Sequence, residues 1–268
     1  MGYVQTRVKS RNRAIEIVTN MVSNPAHVLV IHYSCESFYD ITDGRTPRIT
    51  SIAVRYVKTG QTKSFSIHKL AERKKIDVQN IEECYDQLEK DMLKEFFDFV
   101  RVHKAYAWVH WNMRDINYGF EAIENRFVVL GGKPETIGDE NKFDLSRLLV
   151  SIYGLSYIGH PRFESLINNN GITKRDFLPG AEEAKAFNQK EYVKLHQSTL
   201  RKVDILNTIL EKTAEGKLKT NSKLRDIYSL SPQGIFELAK DNWFFSVGFS
   251  VIGLIIGTLI SKIFRPVQ

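Results

Sequence analysis

The order of its short apolar segments and amphipathic helices constrains the fold of this chain more than any other feature. Three segments with the alternation of a β-strand follow each other closely, at residues 28–34, 48–57 and 62–68. Helical periodicity over 81–103 then leads to a fourth, buried strand at 105–110. Strands followed by alternating helices and strands predict an α/β domain with a mixed sheet flanked by helices.

The domain boundaries follow from the same patterns. A basic helix is predicted over residues 1–24 and the α/β domain over 25–212, followed by a basic linker at 213–240. Within the domain, the segments after the fourth strand are predicted to be helical, at 115–127, 144–153, 163–169 and 191–212.

The net charge and the number of cysteines indicate which binding partners and which cellular compartment suit the protein. The net charge of +7 favours anionic partners, of which nucleic acid and an acidic membrane surface are the two candidates. Cys35 and Cys84 are too few for a disulfide framework or a zinc site, which fits a reducing cytosolic compartment. The first 19 residues lack the apolar core of a secretory signal.

A long apolar segment lies near the carboxyl end of the sequence. Residues 242–261 contain no charged side chain, begin near Trp243, and are followed by Lys262 and Arg265. A helix of this length spans about 30 Å, which matches the hydrocarbon core of a bilayer. We therefore expect a transmembrane helix over 241–264, with a buried core helix as the alternative.

The predicted span also suggests an arrangement in the membrane. Gly253 and Gly257 form a GxxxG pattern, which allows two helices to approach closely and favours a homodimer. The basic linker suits acidic lipid headgroups. These features predict a single-pass, tail-anchored membrane protein whose N-terminal domain faces the cytoplasm.

Four segments, taken in chain order, resemble the motifs of the DnaQ-like (DEDD) 3′–5′ exonuclease family, which has an RNase H-like fold. These segments are residues 27–38, 109–118, 142–149 and 195–204. The resemblance covers roughly residues 25–212. It implies a nucleic-acid substrate and a site with two divalent metals, Mg²⁺ or Mn²⁺, held by four carboxylates.

The resemblance assigns some catalytic positions directly. Asp115 matches the acid of the second motif and is the candidate metal ligand; a helix N-cap is its alternative role. His196 matches the histidine that activates the attacking water. At the other acidic positions the sequence departs from the family: His32 and Ser34 replace the Asp-x-Glu pair, and Arg201 replaces the last acid.

Two nearby acids offer a relocated metal site. Glu36 lies two residues beyond Ser34 on the same strand face, and Asp204 lies three residues beyond Arg201. The relocated catalytic set would be Glu36, Asp115 and His196, with Asp204 as a further metal ligand.

The remaining polar and aromatic residues suggest binding without cleavage. Arg201 can clamp a phosphate, and aromatic side chains near the site can stack on bases. The residues assigned to nucleic-acid contact are Arg201, His32, Ser34, His110, Trp111 and Tyr118.

Three functions therefore follow from the sequence. The leading one is a catalytically degenerate, membrane-tethered module that binds or senses nucleic acid or a nucleotide, in a layout that suits a stress or anti-phage effector. The second is an active, divergent metal-dependent exonuclease. The third is a membrane-anchored structural interaction domain.

Overall fold

A five-stranded mixed sheet forms the centre of the domain. The computed structural model describes residues 3–36, 46–115 and 117–223. The sheet has the order β3-β2-β1-β4-β5, in which β1, β2 and β3 are antiparallel and β4 and β5 run parallel to β1. The strands are β1 (Val28–Cys35), β2 (Ile49–Tyr56), β3 (Thr62–Ser66), β4 (Ala107–His110) and β5 (Lys142–Asp144).

Helices cover both faces of the sheet, which confirms the predicted α/β class. One face packs against α2, α3 and α4, and the other against α1, α5, α6 and α8. In chain order the helices are α1 (Tyr3–Ser23), α2 (Ile67–Arg73), α3 (Tyr85–His103), α4 (Phe120–Val129), α5 (Leu145–Tyr153), α6 (Arg162–Asn169), α7 (Gly180–Asn188) and α8 (Tyr192–Ala214).

Strand β1 is central and supplies both cores. Its odd-numbered residues Leu29 and Ile31 enter the core beneath α3, whereas Val28 and Val30 enter the core beneath α1 and α8. Side chains alternate between the faces of a strand, so a strand covered on both sides must be apolar at successive positions. The continuous apolar run at the start of β1 is the sequence signature of this position.

Polar residues interrupt that pattern at the carboxyl end of β1. His32 and Ser34 continue the face that α8 covers, opposite Ala53 and Ser51 of β2. Both are buried, with 8% and 2% of their surface exposed. Since burial of polar groups on a core face is costly, these positions mark the end of β1 as a site.

Several element boundaries differ from the sequence-based expectation. The third strand ends at Ser66, where the short helix α2 begins, and a fifth strand precedes α5. Helix α4 begins at Phe120 rather than Asp115 because the Asp115 carboxylate accepts the Asn117 backbone N–H in a turn. A residue whose side chain closes such a turn competes with helix formation.

The segment after α8 continues to pack on the domain. Leu218 is buried, and the Asn221 backbone N–H donates to the Tyr157 carbonyl at 2.8 Å. Among the described residues no helix has the length and apolarity needed to cross a membrane. The predicted span at 242–261, with Gly253 and Gly257, lies outside those residues.

A buried ion pair holds the start of β2 against α3 and α4. Glu89 is fully buried and accepts the Ile49 backbone N–H at 2.6 Å. Its other oxygen lies 2.9 Å from Nε and 2.5 Å from Nη2 of Arg126, which is also buried. Arg126 also pairs with the more exposed Asp86 at 2.8 Å, so loss of Arg126 would leave Glu89 without a counter-charge, whereas loss of Glu89 would leave Arg126 with Asp86 alone.

We expect Glu89→Ala to lower the free energy of unfolding by about 3 kcal/mol, because the Ile49 N–H loses its partner and Arg126 keeps only the exposed Asp86 as a counter-charge. Urea denaturation of the purified full chain measures this change. The control is Asp98→Ala, which removes an exposed partner of Lys94 and should cost at most about 1 kcal/mol. Equal losses in the two variants would contradict a supporting role for the buried pair.

Candidate functional site

A cavity of about 770 Å³ opens at the carboxyl end of β1. Its walls come from β1, the loop after β4, and the helices α7 and α8. This edge of the sheet is where the chain leaves the parallel strands β1 and β4, so loops there are free to form a binding site. The described lining residues are His32, Tyr33, Ser34, Cys35, Glu36, Trp111, Asn112, Tyr118, Gly180, Ala181, Glu183, Ala184 and Lys202.

Two buried polar atoms of the cavity lining lack hydrogen-bond partners among the described residues. They are Nδ1 of His32 and Oγ of Ser34. Burial, together with the positive charge of Lys202, holds the pKa of His32 well below its usual range, so the ring is neutral near pH 7. A neutral imidazole and a hydroxyl can each donate or accept a hydrogen bond to a ligand.

A lysine ammonium occupies the floor of the cavity. Nζ of Lys202 lies 2.7 Å from Oε2 of Glu183, and the two side chains are 7% and 14% exposed. The Ser198 hydroxyl donates to the other oxygen of Glu183 at 3.0 Å. Lys202 also lies 5.4 Å from the Phe177 ring centroid, a cation–π distance. This pair joins α7 to α8 beside β1.

Aromatic side chains form another wall. The rings of Tyr33 and Tyr118 stack with centroids 4.7 Å apart and planes 16° apart. The Tyr33 hydroxyl accepts the Gly119 backbone N–H at 3.0 Å, which fixes this stack to the loop before α4. Trp111 is half-buried against Phe163, with ring centroids 5.1 Å apart.

The structure brings five of the predicted site residues together in this cavity. They share positions at the end of β1 or in the loop between β4 and α4: His32, Ser34, Glu36, Trp111 and Tyr118. The other predicted residues are not among the described residues that line this cavity, and the buried Nε2 of His196 has no hydrogen-bond partner in the described part of the chain.

Asp115 and Asp204, two of the predicted metal ligands, are not among the residues that line the cavity. Asp115 is exposed, in the turn that its carboxylate closes with Asn117. Asp204 forms an ion pair with Arg55 of β2 at 2.9 Å. Glu36 is therefore the one residue of the relocated acidic set at the cavity.

Arg201, His110 and His196 also lie outside the cavity lining. The Arg201 guanidinium donates twice to the Thr173 carbonyl, at 2.6 and 3.2 Å. Nδ1 of His110 accepts the Met113 backbone N–H at 3.2 Å, and burial lowers the pKa of His110 to about 4. His196 packs against His68 of α2, with ring centroids 5.0 Å apart.

A divalent metal at the end of β1 would have to compete with Lys202. Hard cations require several oxygen ligands, and the described lining offers two carboxylates, of which Glu183 is already paired with the Lys202 ammonium, beside a neutral imidazole and a hydroxyl. Across the three described stretches, no group of three or more His, Cys, Asp or Glu side chains is arranged to hold a metal ion. Lys202, which is paired with Glu183, also contributes to the lowered pKa of His32.

Sequence reasoning missed Lys202 and Glu183. In the DnaQ-like motif the last acid stands five residues after the histidine, a spacing that leads from His196 to Arg201. Lys202 is the next residue along the chain. The apolar stripe of α8 carried the better signal: Leu195, Thr199, Lys202 and Leu206 recur at helical spacing and are all buried. A lysine on such a stripe must find a buried anionic partner.

The lysine–glutamate pair predicts a specific coupling. Lys202→Met should lower the free energy of unfolding by about 3 kcal/mol because it leaves Glu183 buried without its counter-charge. Lys202→Met combined with Glu183→Gln should recover at least half of that loss. Urea denaturation of the two single variants and the double variant measures the coupling, and strictly additive losses would contradict the pairing.

The buried His196 predicts acid sensitivity. Burial, with His68 and Lys69 nearby, lowers the pKa of His196 to about 3, whereas histidine in an unfolded chain titrates near pH 6.5. As the pH falls, His196 therefore binds a proton in the unfolded state at a higher pH than in the folded state. The stability that neutral His196 contributes is complete above about pH 6.5 and is lost as the pH falls toward 3.

We expect His196→Phe to reduce the loss of stability between pH 7.5 and pH 5 by about 1–2 kcal/mol. Urea denaturation at the two pH values measures this difference. His160→Gln, at an exposed position, is the control and should retain the wild-type dependence. The same acid sensitivity in wild type and His196→Phe would rule out this contribution.

Comparisons of the chain with protein-family models, curated proteins and solved structures found no match.

Proposed function

We propose that this domain binds nucleic acid or a nucleotide in the cavity at the end of β1 and does not cleave it by a two-metal mechanism. The observation that carries this proposal is the buried ion pair between Lys202 and Glu183, 2.7 Å long. It stands beside His32 and Ser34, the positions that correspond to the Asp-x-Glu pair of DnaQ-like exonucleases. An ammonium ion there takes the place that a metal would need.

The fold supports the first part of the proposal. Three antiparallel strands followed by two strands parallel to β1 are compatible with an RNase H-like sheet. In that arrangement the end of β1 is the position where a nucleic-acid strand would meet the site. The aromatic wall of Tyr118 and Trp111 offers faces on which bases can stack.

The charges at the cavity support the second part of the proposal, the absence of two-metal cleavage. A divalent metal is bound where carboxylates concentrate negative charge. Here the Lys202 ammonium neutralises Glu183, so a metal ion could bind that carboxylate only by displacing Lys202. The catalytic roles predicted for Asp115, Glu36 and His196, with Asp204 as a further metal ligand, would require these side chains to meet at one site, and of the four Glu36 alone is among the described lining of the cavity.

The segments outside the described residues extend the proposal to the membrane. A transmembrane helix at 242–261 would tether the binding domain to a bilayer, and Gly253 and Gly257 would allow two tethered copies to associate. Ligand binding would then act on a membrane-held pair of domains, which is a suitable arrangement for a stress or anti-phage effector.

The proposal predicts retention of single strands without shortening. Full-length protein in detergent micelles is incubated with end-labelled single-stranded DNA and RNA in Mg²⁺, Mn²⁺ or EDTA. We expect intact strands, with the same binding in EDTA as in metal. Trp111→Ala should weaken binding by roughly tenfold, and Trp111→Phe should retain most of it, since stacking on one base contributes about 1–3 kcal/mol.

Asp115→Ala distinguishes binding from cleavage. In a binding module this variant behaves like wild type, because Asp115 lies outside the cavity. Shortening of the strands that needs both a metal ion and Asp115 would establish a relocated exonuclease site and refute the proposal. If the strands are neither retained nor shortened, the result would support a structural interaction domain.

A further inference from the structure

The charge balance of the β1 cavity bears on the kind of ligand that enters it. Its described lining contains two carboxylates, Glu36 and Glu183, against one ammonium, Lys202. Lys202 and Glu183 already neutralise each other at 2.7 Å. A phosphate group placed here would have to break that pair and approach the carboxylates. The cavity therefore disfavours a dianionic group, although the whole chain carries a net charge of +7.

The remaining walls favour a flat, uncharged ligand. Tyr33, Tyr118 and Trp111 present aromatic surface, and Ala181 and Ala184 of α7 add apolar surface without bulk. At about 770 Å³ the cavity is large enough for a heterocycle and an attached sugar. Aromatic surface of this kind binds the π-face of any base.

Two polar groups in the cavity wall are available for hydrogen bonds to a ligand. Nδ1 of His32 and Oγ of Ser34 are buried and have no hydrogen-bond partner within the described residues. Buried polar atoms are nearly always satisfied, so an unsatisfied pair at a cavity wall points to a ligand that completes them. The two residues are two positions apart on one strand face, about 6.6 Å along the strand, so both groups lie on the same side of the sheet and can reach different polar atoms of one ligand.

We infer that the cavity at the end of β1 is a nucleobase pocket: it binds the base of a nucleoside or of an unpaired nucleotide through His32, Ser34 and the aromatic wall, and leaves the phosphate outside. This inference rests on the proposed function and specifies which part of the nucleotide the domain reads. It also gives the two unpartnered polar atoms a role.

The inference is tested by calorimetric titration of the full-length protein in detergent micelles. The probes are adenosine, guanosine, cytidine and uridine, each beside its 5′-monophosphate, and inorganic phosphate as a competitor. We expect at least one nucleoside to bind with a Kd within about threefold of its monophosphate. Its binding should be nearly independent of salt, and excess inorganic phosphate should not displace it.

Ser34→Ala and Ser66→Ala form a matched pair of variants. Both remove a buried hydroxyl that has no partner in the described part of the chain, but only Ser34 lines the nucleobase pocket. Neither change should lower the melting temperature, because no protein hydrogen bond is lost. Ser34→Ala should weaken nucleoside binding about fivefold or more, and Ser66→Ala should leave it unchanged.

Each contrary result has a distinct meaning. A monophosphate that binds at least tenfold tighter than its nucleoside, or displacement by inorganic phosphate, would overturn the nucleobase pocket but leave the proposed function standing. Retention of single strands without nucleoside binding, or equal effects of the two serine variants, would do the same. Failure to bind nucleosides, monophosphates and single strands alike would refute both proposals.

Discussion

Hydrogen bonding along both edges of β1 is the constraint on which the rest of the domain depends. The strand pairs with β2 on one side and β4 on the other, so every layer of the fold is positioned relative to it. Because helices cover both faces, β1 must offer apolar side chains at successive positions. Where that requirement lapses, at His32 and Ser34, a cavity lies at the end of the strand, lined also by residues of α7 and by Lys202 of α8.

At the same end of β1 an acidic and a basic side chain form a buried ion pair. An exonuclease-like site at this position would gather acids and hold them together with metal ions. Here one acid, Glu183, comes from α7, and the compensating cation is covalently part of α8. The positive charge beside Glu183 therefore comes from a side chain of the protein itself.

Much of the fold could be predicted because strand alternation and helical periodicity are local signals. The strands β1, β2 and β4 and the helices α3 and α8 have long or strongly patterned segments. The elements α2, α7 and β5 were missed: β5 has three residues, too few for a pattern, and α2 and α7 carry few large apolar side chains, whereas α5 and α6, of similar length, have a clearer apolar stripe. Five of the predicted site residues meet in the cavity. The Lys202–Glu183 pair could not be foreseen, because it joins two helices whose contact is tertiary.

The two outer strands have a consequence for how copies of the protein behave side by side. Strand β3 has five residues and β5 has three, and each includes a lysine, Lys63 and Lys142. A short edge strand that carries charged side chains is a poor template for strand addition by a neighbour. Such borders disfavour the pairing of neighbouring domains into a continuous sheet, so that self-association is left to other surfaces.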